Sequence, residues 1–250
     1  MIKAITFDLW DTLIHDASDE PKRAARGLRS KKAERRHLVW EALNAEQPID
    51  LATVTLAYDT ADAGFNVTWR ELHINWRIEQ RLRVVLTGLG RALSPAAFEP
   101  LLRKTAEMEV EIPPDPIEGA ESALEELAKR YKLCIVSDAI VTPGTGLRSL
   151  LELYGMKRHF AGFAFSDEVG HSKPHRSMFE TAAAQLGVEI GEMLHIGDRD
   201  HNDVKGPQAL GMKAVLFTAT RDLDKVSTSA DAICERHRDL PAIVDRLAER

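Results

Sequence analysis

The chain has 250 residues, 44% of them hydrophobic and 29% charged, and carries a formal net charge of −6. This is long for one ordinary domain and too rich in apolar residues for disorder, so a core domain with a sizeable insertion is expected. The acidic balance gives no global attraction to nucleic acid, no stretch approaches the about 20 apolar residues of a membrane span, and Lys3, Asp8 and Asp11 interrupt any export signal, so a cytoplasmic setting is expected.

In chain order, the first element is the apolar run IKAITF at 2–7, which ends against Asp8. Residues 16–113 then change character, being rich in Ala, Arg, Glu, Leu and Trp at helical spacing. Breaks at 44–50, 64–66, 88–90 and 94–95 divide them into four or five helices. The proline-rich IPPDPIEG at 112–119 reads as the linker returning to a sheet.

From there short apolar runs alternate with helical patterns. The runs are KLCIVS at 132–137, GFAFS at 162–166, MLHIG at 193–197, KAVLF at 213–217 and DAIC at 231–234. The helical patterns fall at 119–130, 145–154, 175–187, 203–211 and 239–249. Such alternation predicts a doubly wound, mostly parallel α/β sheet, whose ligands bind at the carboxyl ends of its strands. The two cysteines, Cys134 and Cys234, lack ligand spacing and read as reduced thiols.

The strand ends therefore matter most. They carry Asp8, Ser137, Lys173 a few residues beyond the third run, and Asp198. Two carboxylates, a hydroxyl and an ammonium at one edge suit phosphoryl oxygens and a Mg2+ ion. His195, inside its apolar run, reads as a satisfied core residue, and Asp203 alone reads equally well as a helix cap.

The segments FDLWDTL, IVSD, GHSKPHRSMF and HIGDRDHNDVKGPQALGM, in this order, resemble the four motifs of the haloacid dehalogenase superfamily. The resemblance implies a Rossmann-like core at 1–15 and 114–250 and a helical cap domain at 16–113. It implies Asp8 as a nucleophile forming a covalent aspartyl intermediate, Thr12 orienting the loop after it, Ser137 and Asp138 at the substrate, and Lys173 pairing with Asp8 and the phosphoryl charge. It also implies Mg2+ held by Asp8, Asp198, Asp203 and the backbone carbonyl of Trp10.

One position departs from the family's phosphatases. Trp10 stands where they carry the Asp that protonates the leaving oxygen, and it can do neither acid nor base work. Dehalogenases of the family also have an aromatic residue there, but they lack the acidic fourth motif and carry Asn where Asp138 stands. Asp11, one position late, is the candidate replacement acid, with His15 and Asp200 behind it. The leading expectation is a Mg2+-dependent hydrolase of a small anionic phosphorylated metabolite, with no nucleic-acid or membrane partner. The alternatives are 2-haloacid dehalogenation, or an impaired member that binds a ligand or protein. Phosphonate-cleaving relatives use a cap lysine, but nothing singles out Lys22, Lys31 or Lys32.

The basic stretch from Lys22 to Arg36 reads first as a solvated helix face and second as an attractor for an anionic substrate. Trp40, Trp69 and Trp76 read as core of the helical insertion.

Overall fold

The structure is a computed structural model and describes residues 1–249. All the expected strands form: β1 (Ala4–Phe7), β2 (Lys132–Ser137), β3 (Phe160–Phe165), β4 (Met193–Gly197), β5 (Lys213–Phe217) and β6 (Ala232–Cys234). They make one parallel sheet in the order β3-β2-β1-β4-β5-β6. β1 and β4 are buried along their whole length, which explains why they read as unbroken apolar runs.

Register sets the site. Phe7 is level with both Ile135 and Ile196, so Asp8, Ser137 and Asp198 leave the sheet together at its carboxyl edge. This lies beside the central strand, where crossovers depart in opposite directions and open a crevice.

Between β1 and the proline-rich linker at 112–119 the chain forms six helices: α1 (Asp19–Ala25), α2 (Lys31–Glu46), α3 (Leu51–Glu71), α4 (Ile78–Gly88), α5 (Pro95–Ala106) and α6 (Met108–Glu111). Asp50 and Ser94 cap α3 and α5 through their side-chain oxygens, as the breaks at 44–50 and 94–95 require. The expected break at 64–66 is wrong. α3 runs straight through Gly64 because Phe65 and Tyr58 are buried on one face, and that packing outweighs the about 1 kcal/mol helix penalty of one glycine. The break falls instead at 72–77, where His73 takes a positive φ of 54° without any Gly or Pro to announce it.

These helices enclose their own apolar cluster, including Leu38, Val39, Leu43, Val54, Tyr58, Leu82, Val85, Phe98 and Leu101. The chain leaves and re-enters the sheet layer at one place: His15 N–H donates to Asp115 O (2.9 Å), Asp115 N–H to Ser18 Oγ (2.7 Å), and Ile117 N–H to Leu13 O (2.9 Å). The remaining helices are α7 (Ala120–Ala128), α8 (Gly144–Leu153), α9 (Ser166–Val169), α10 (Arg176–Leu186), α11 (Gly206–Ala209) and α12 (Leu240–Ala248). A π-helical turn at Asp200–Lys205 precedes α11. Among the described residues no helix is long and apolar enough to cross a membrane.

Candidate active site

At the carboxyl edge, Lys173 Nζ lies 2.8 Å from Asp8 Oδ1 and 2.6 Å from Asp203 Oδ1, all three buried. The backbone N–H of Lys173 donates to Asp138 Oδ1 (3.0 Å), which ties the lysine to the end of β2. Asp203 reaches this position because residue 197 is glycine; a Cβ there would collide with the Asp203 carboxyl. Asp203 is further held by Arg199 N–H (2.9 Å) and by His195 (3.1 Å). The neutral His195 tautomer protonated at Nε2 satisfies both its contacts, donating to Asp203 and accepting from Thr6 Oγ1 at 2.7 Å. His195 is thus a satisfied core residue, as expected, and it also steadies Asp203.

The electrostatics are unbalanced toward negative charge. Burial would raise the Asp203 carboxyl, but Lys173 and His195 outweigh it and hold it well below the usual carboxylate range. Burial likewise opposes the charge on Lys173, and Asp203, Asp8 and Asp138 outweigh it, keeping the amine protonated. Asp198 has only a looser partner, Arg199 Nε at 3.8 Å: burial, with Asp203 and Asp8 adding, outweighs Arg199 and Lys173 and pushes it up to about 8. Its Oδ2 is buried without a hydrogen bond. One oxygen each from Asp8, Asp198 and Asp203 lies within 4.8 Å of the others. Three hard oxygen donors, one of them orphaned, and a surplus of negative charge fit a Mg2+ ion.

A cavity of about 270 Å³ opens onto this edge. Asp8, Ser137, Asp138, Lys173 and Asp203 line it, with the Ser137 hydroxyl buried and unpartnered. Trp10 also lines it. The turn around Trp10 is closed by Ile14 N–H to Leu9 O (3.1 Å) and Asp11 N–H to Ile14 O (2.7 Å), so the Trp10 carbonyl is not consumed by that turn. Thr12 is buried away from the cavity wall, where its carbonyl accepts from His237 Nε2 (2.7 Å). Asp11 does not line the cavity either. Its φ of 53° turns the carboxylate back to accept Asp16 N–H (3.1 Å), so it shapes the turn; burial raises this carboxyl, with Asp8 adding and the Asp16 N–H, Arg199 and His15 opposing.

The structure adds wall residues that sequence reasoning missed: Asp16, Arg35, Glu109, Thr142, Arg199 and Asn202. Burial raises the Asp16 carboxyl above the ordinary aspartate range while Lys31 pulls it back. Lys31 is singled out among the early lysines. It is buried, lines the cavity, and is paired with Asp19 (2.8 Å) and Glu109 (2.7 Å). Burial opposes its charge, but the two carboxylates outweigh it, and a protonated lysine is no imine-forming nucleophile. Lys22 is tied to Asp115 and Lys32 is exposed. The basic stretch is therefore mixed, part solvated and part cavity wall.

Trp40 and Trp76 pack among the inserted helices as expected. Trp69 does not: its Nε1–H donates to Asp138 Oδ2 (3.1 Å) across the cavity. This contact belongs to a series. Successive residues after β2 are each gripped by the inserted segment: Asp138 by Trp69, Ala139 O by Asn75 (3.2 Å), Ile140 O by Arg81 (3.0 Å), Val141 by the apolar cluster and Thr142 by Glu109.

Comparison with known proteins gives one family, haloacid dehalogenase-like hydrolase, matching residues 2–211. Haloacid dehalogenase-like hydrolase domain-containing protein 3 of Mus musculus is 33% identical over 122 residues, 48% of this chain and 46% of that protein. The 5-amino-6-(5-phospho-D-ribitylamino)uracil phosphatase YigB of Escherichia coli is 33% identical over 100 residues, 40% of this chain and 39% of that protein. The match thus spans less than half the length of these curated relatives. Among solved structures, a HAD phosphatase from Thermococcus onnurineus superposes with a TM-score of 0.65 at 24% identity, covering 97% of this chain and 98% of that one.

Proposed function

The chain belongs to the haloacid dehalogenase-like hydrolase family of enzymes, and we propose that within it this protein is a Mg2+-dependent phosphatase of small phosphorylated metabolites, acting through an aspartyl-phosphate on Asp8. The observation that carries this reading is the buried trio Asp8, Asp198 and Asp203, two of them on Lys173, with Asp198 Oδ2 left without a hydrogen bond. The phosphatase named among the relatives supports it. Residues 16–113 serve as the cap over the site.

Mg2+ would be held by Asp8, Asp198, Asp203 and the Trp10 carbonyl, and it supplies positive charge against the phosphoryl oxygens. Lys173 holds Asp8 Oδ1, leaving the other oxygen to attack phosphorus, while Ser137 Oγ–H and the Lys173 ammonium bind the transferring oxygens. The P–O bond to the leaving alcohol breaks, and the alcohol oxygen takes a proton from Asp16, the cavity carboxyl that among the described residues has neither an ion pair nor a side-chain hydrogen-bond partner. A water then attacks the same phosphorus, gives its proton to the Asp16 carboxylate, and releases phosphate as the acyl phosphate bond breaks.

The test is phosphate release from a panel of phosphomonoesters. Release with Mg2+, none with EDTA and none from Asp8→Asn is expected. Trp10 favours the competing chemistry, carbon–halogen cleavage, which needs no proton on its leaving group. Metal-independent halide release from 2-haloacids, without phosphate release, would overturn the proposal.

A further inference from the structure

We infer that Arg35 reads a second anionic group on the substrate, so that the molecules taken here carry a carboxylate or a second phosphate remote from the phosphoryl group that Asp8 attacks. This rests on the phosphatase reading for the identity of the first group. Lys31 and Arg35 stand four residues apart on α2 and so share one face of that helix, and both line the cavity that holds Asp8. The two cations differ in how they are neutralised. Lys31 is saturated by Asp19 and Glu109.

Arg35 Nε is buried and has no hydrogen-bond partner, and no ion pair among the described residues includes this side chain. The carboxylates nearby are already taken. Arg36 binds Asp59 and Asp62, and Arg81 binds Asp62 and the Ile140 carbonyl. Lys32 also reaches Asp59, so these two carboxylates already serve three cations and none is left for Arg35. Of the other carboxylates on the cavity wall, Glu109 is committed to Lys31 and Thr142, and Asp138 to Trp69 and the Lys173 N–H. Asp16 is uncommitted, but the cation acting on it is Lys31 and it makes no ion pair with Arg35.

Leaving a guanidinium partly buried and unpaired is costly, and an incoming anion removes that cost. The planar fork of Arg matches the two oxygens of a carboxylate or phosphate, with Nε forming one tine. Trp69, Ile140 and Val141 give the same cavity apolar wall, and the space of about 270 Å³ limits the body of the molecule to a short, uncharged spacer. One unpaired cation in the roof therefore faces the phosphoryl site in the floor, and the wall between them accepts carbon.

Direct binding tests this without turnover. Calorimetry on the full chain with Mg2+ compares propylphosphonate, 3-phosphonopropionate and propane-1,3-diphosphonate. At least one of the two doubly anionic probes is expected to bind about tenfold or more tighter than propylphosphonate, and whichever does so names the second anion. In Arg35→Met that ratio is expected to fall to near one, with part of it restored in Arg35→Lys. Because the readout is a ratio within each protein, a general folding defect does not imitate the result. Equal affinity for all three probes in the wild type, or a ratio that persists in Arg35→Met, overturns the inference. Phosphate release from p-nitrophenyl phosphate is measured alongside. Its absence counts against the phosphatase reading alone, since the probe ratios do not depend on catalysis.

Discussion

In the proposed mechanism Asp16 carries the proton that the family's phosphatases assign to the position held here by Trp10. The indole takes the usual position of the acid, and the cavity carboxyl that remains uncommitted is six residues further on. Asp16→Asn is expected to slow alkyl phosphate hydrolysis by about 10²–10⁴-fold, the usual worth of a general acid or base. The formation of phosphoenzyme from p-nitrophenyl phosphate, whose leaving group needs no proton, is expected to fall much less. Rapid-quench measurement of that burst against steady-state turnover separates the two effects. An Asp16→Asn enzyme that is unimpaired on alkyl phosphates would remove Asp16 from the mechanism.

Among the elements, α3 shows how packing overrides a local signal. Its Gly64 has only Trp76 near the position a Cβ would occupy, at 3.9 Å, which is ordinary contact. Gly64→Ala is therefore expected to stabilise the protein by about 0.5–1 kcal/mol, chiefly through the unfolded chain, and to raise the midpoint of a urea transition. The same contrast explains what the sequence disclosed. Asp8, Ser137 and Asp198 follow directly from strands whose apolar runs have sharp ends, so their convergence was readable once the runs were counted. Lys173 and Asp203 became readable through their motifs, with Gly197 as a physical signature of the close approach of Asp203. Arg35 and Trp69 were not readable, because which face of α2 or α3 meets the cavity is decided by tertiary packing, and Asp16 was not because it lies in the turn before α1, where no periodicity gives its direction. The i, i+4 pair Lys31 and Arg35 was the one local hint, and it was diluted among six other Lys and Arg residues from Lys22 to Arg36.

At the scale of the whole molecule, the last part of the chain supports the first. His237, just beyond β6, donates from Nε2 to the Thr12 carbonyl and stacks on Phe217 with ring centres 4.3 Å apart. Burial lowers its pKa to about 4, with the Thr12 bond opposing. The unfolded chain protonates this imidazole near 6.5, so between about pH 6.5 and 4 it binds more protons than the folded state. Stability present above that window is lost as pH falls through it, by up to about 3 kcal/mol. Chemical denaturation at stepped pH is expected to show this decline, and His237→Gln is expected to flatten it. The route taken by the chain between its two layers has a different consequence. Because residues 13–18 and 115–117 run side by side and bond to each other, the insert departs and returns through a single doorway. On the proposed function, the sheet edge that carries Asp8 can be inherited intact while the roof above it is replaced as a cassette, provided the replacement again holds residues 138–142 after β2.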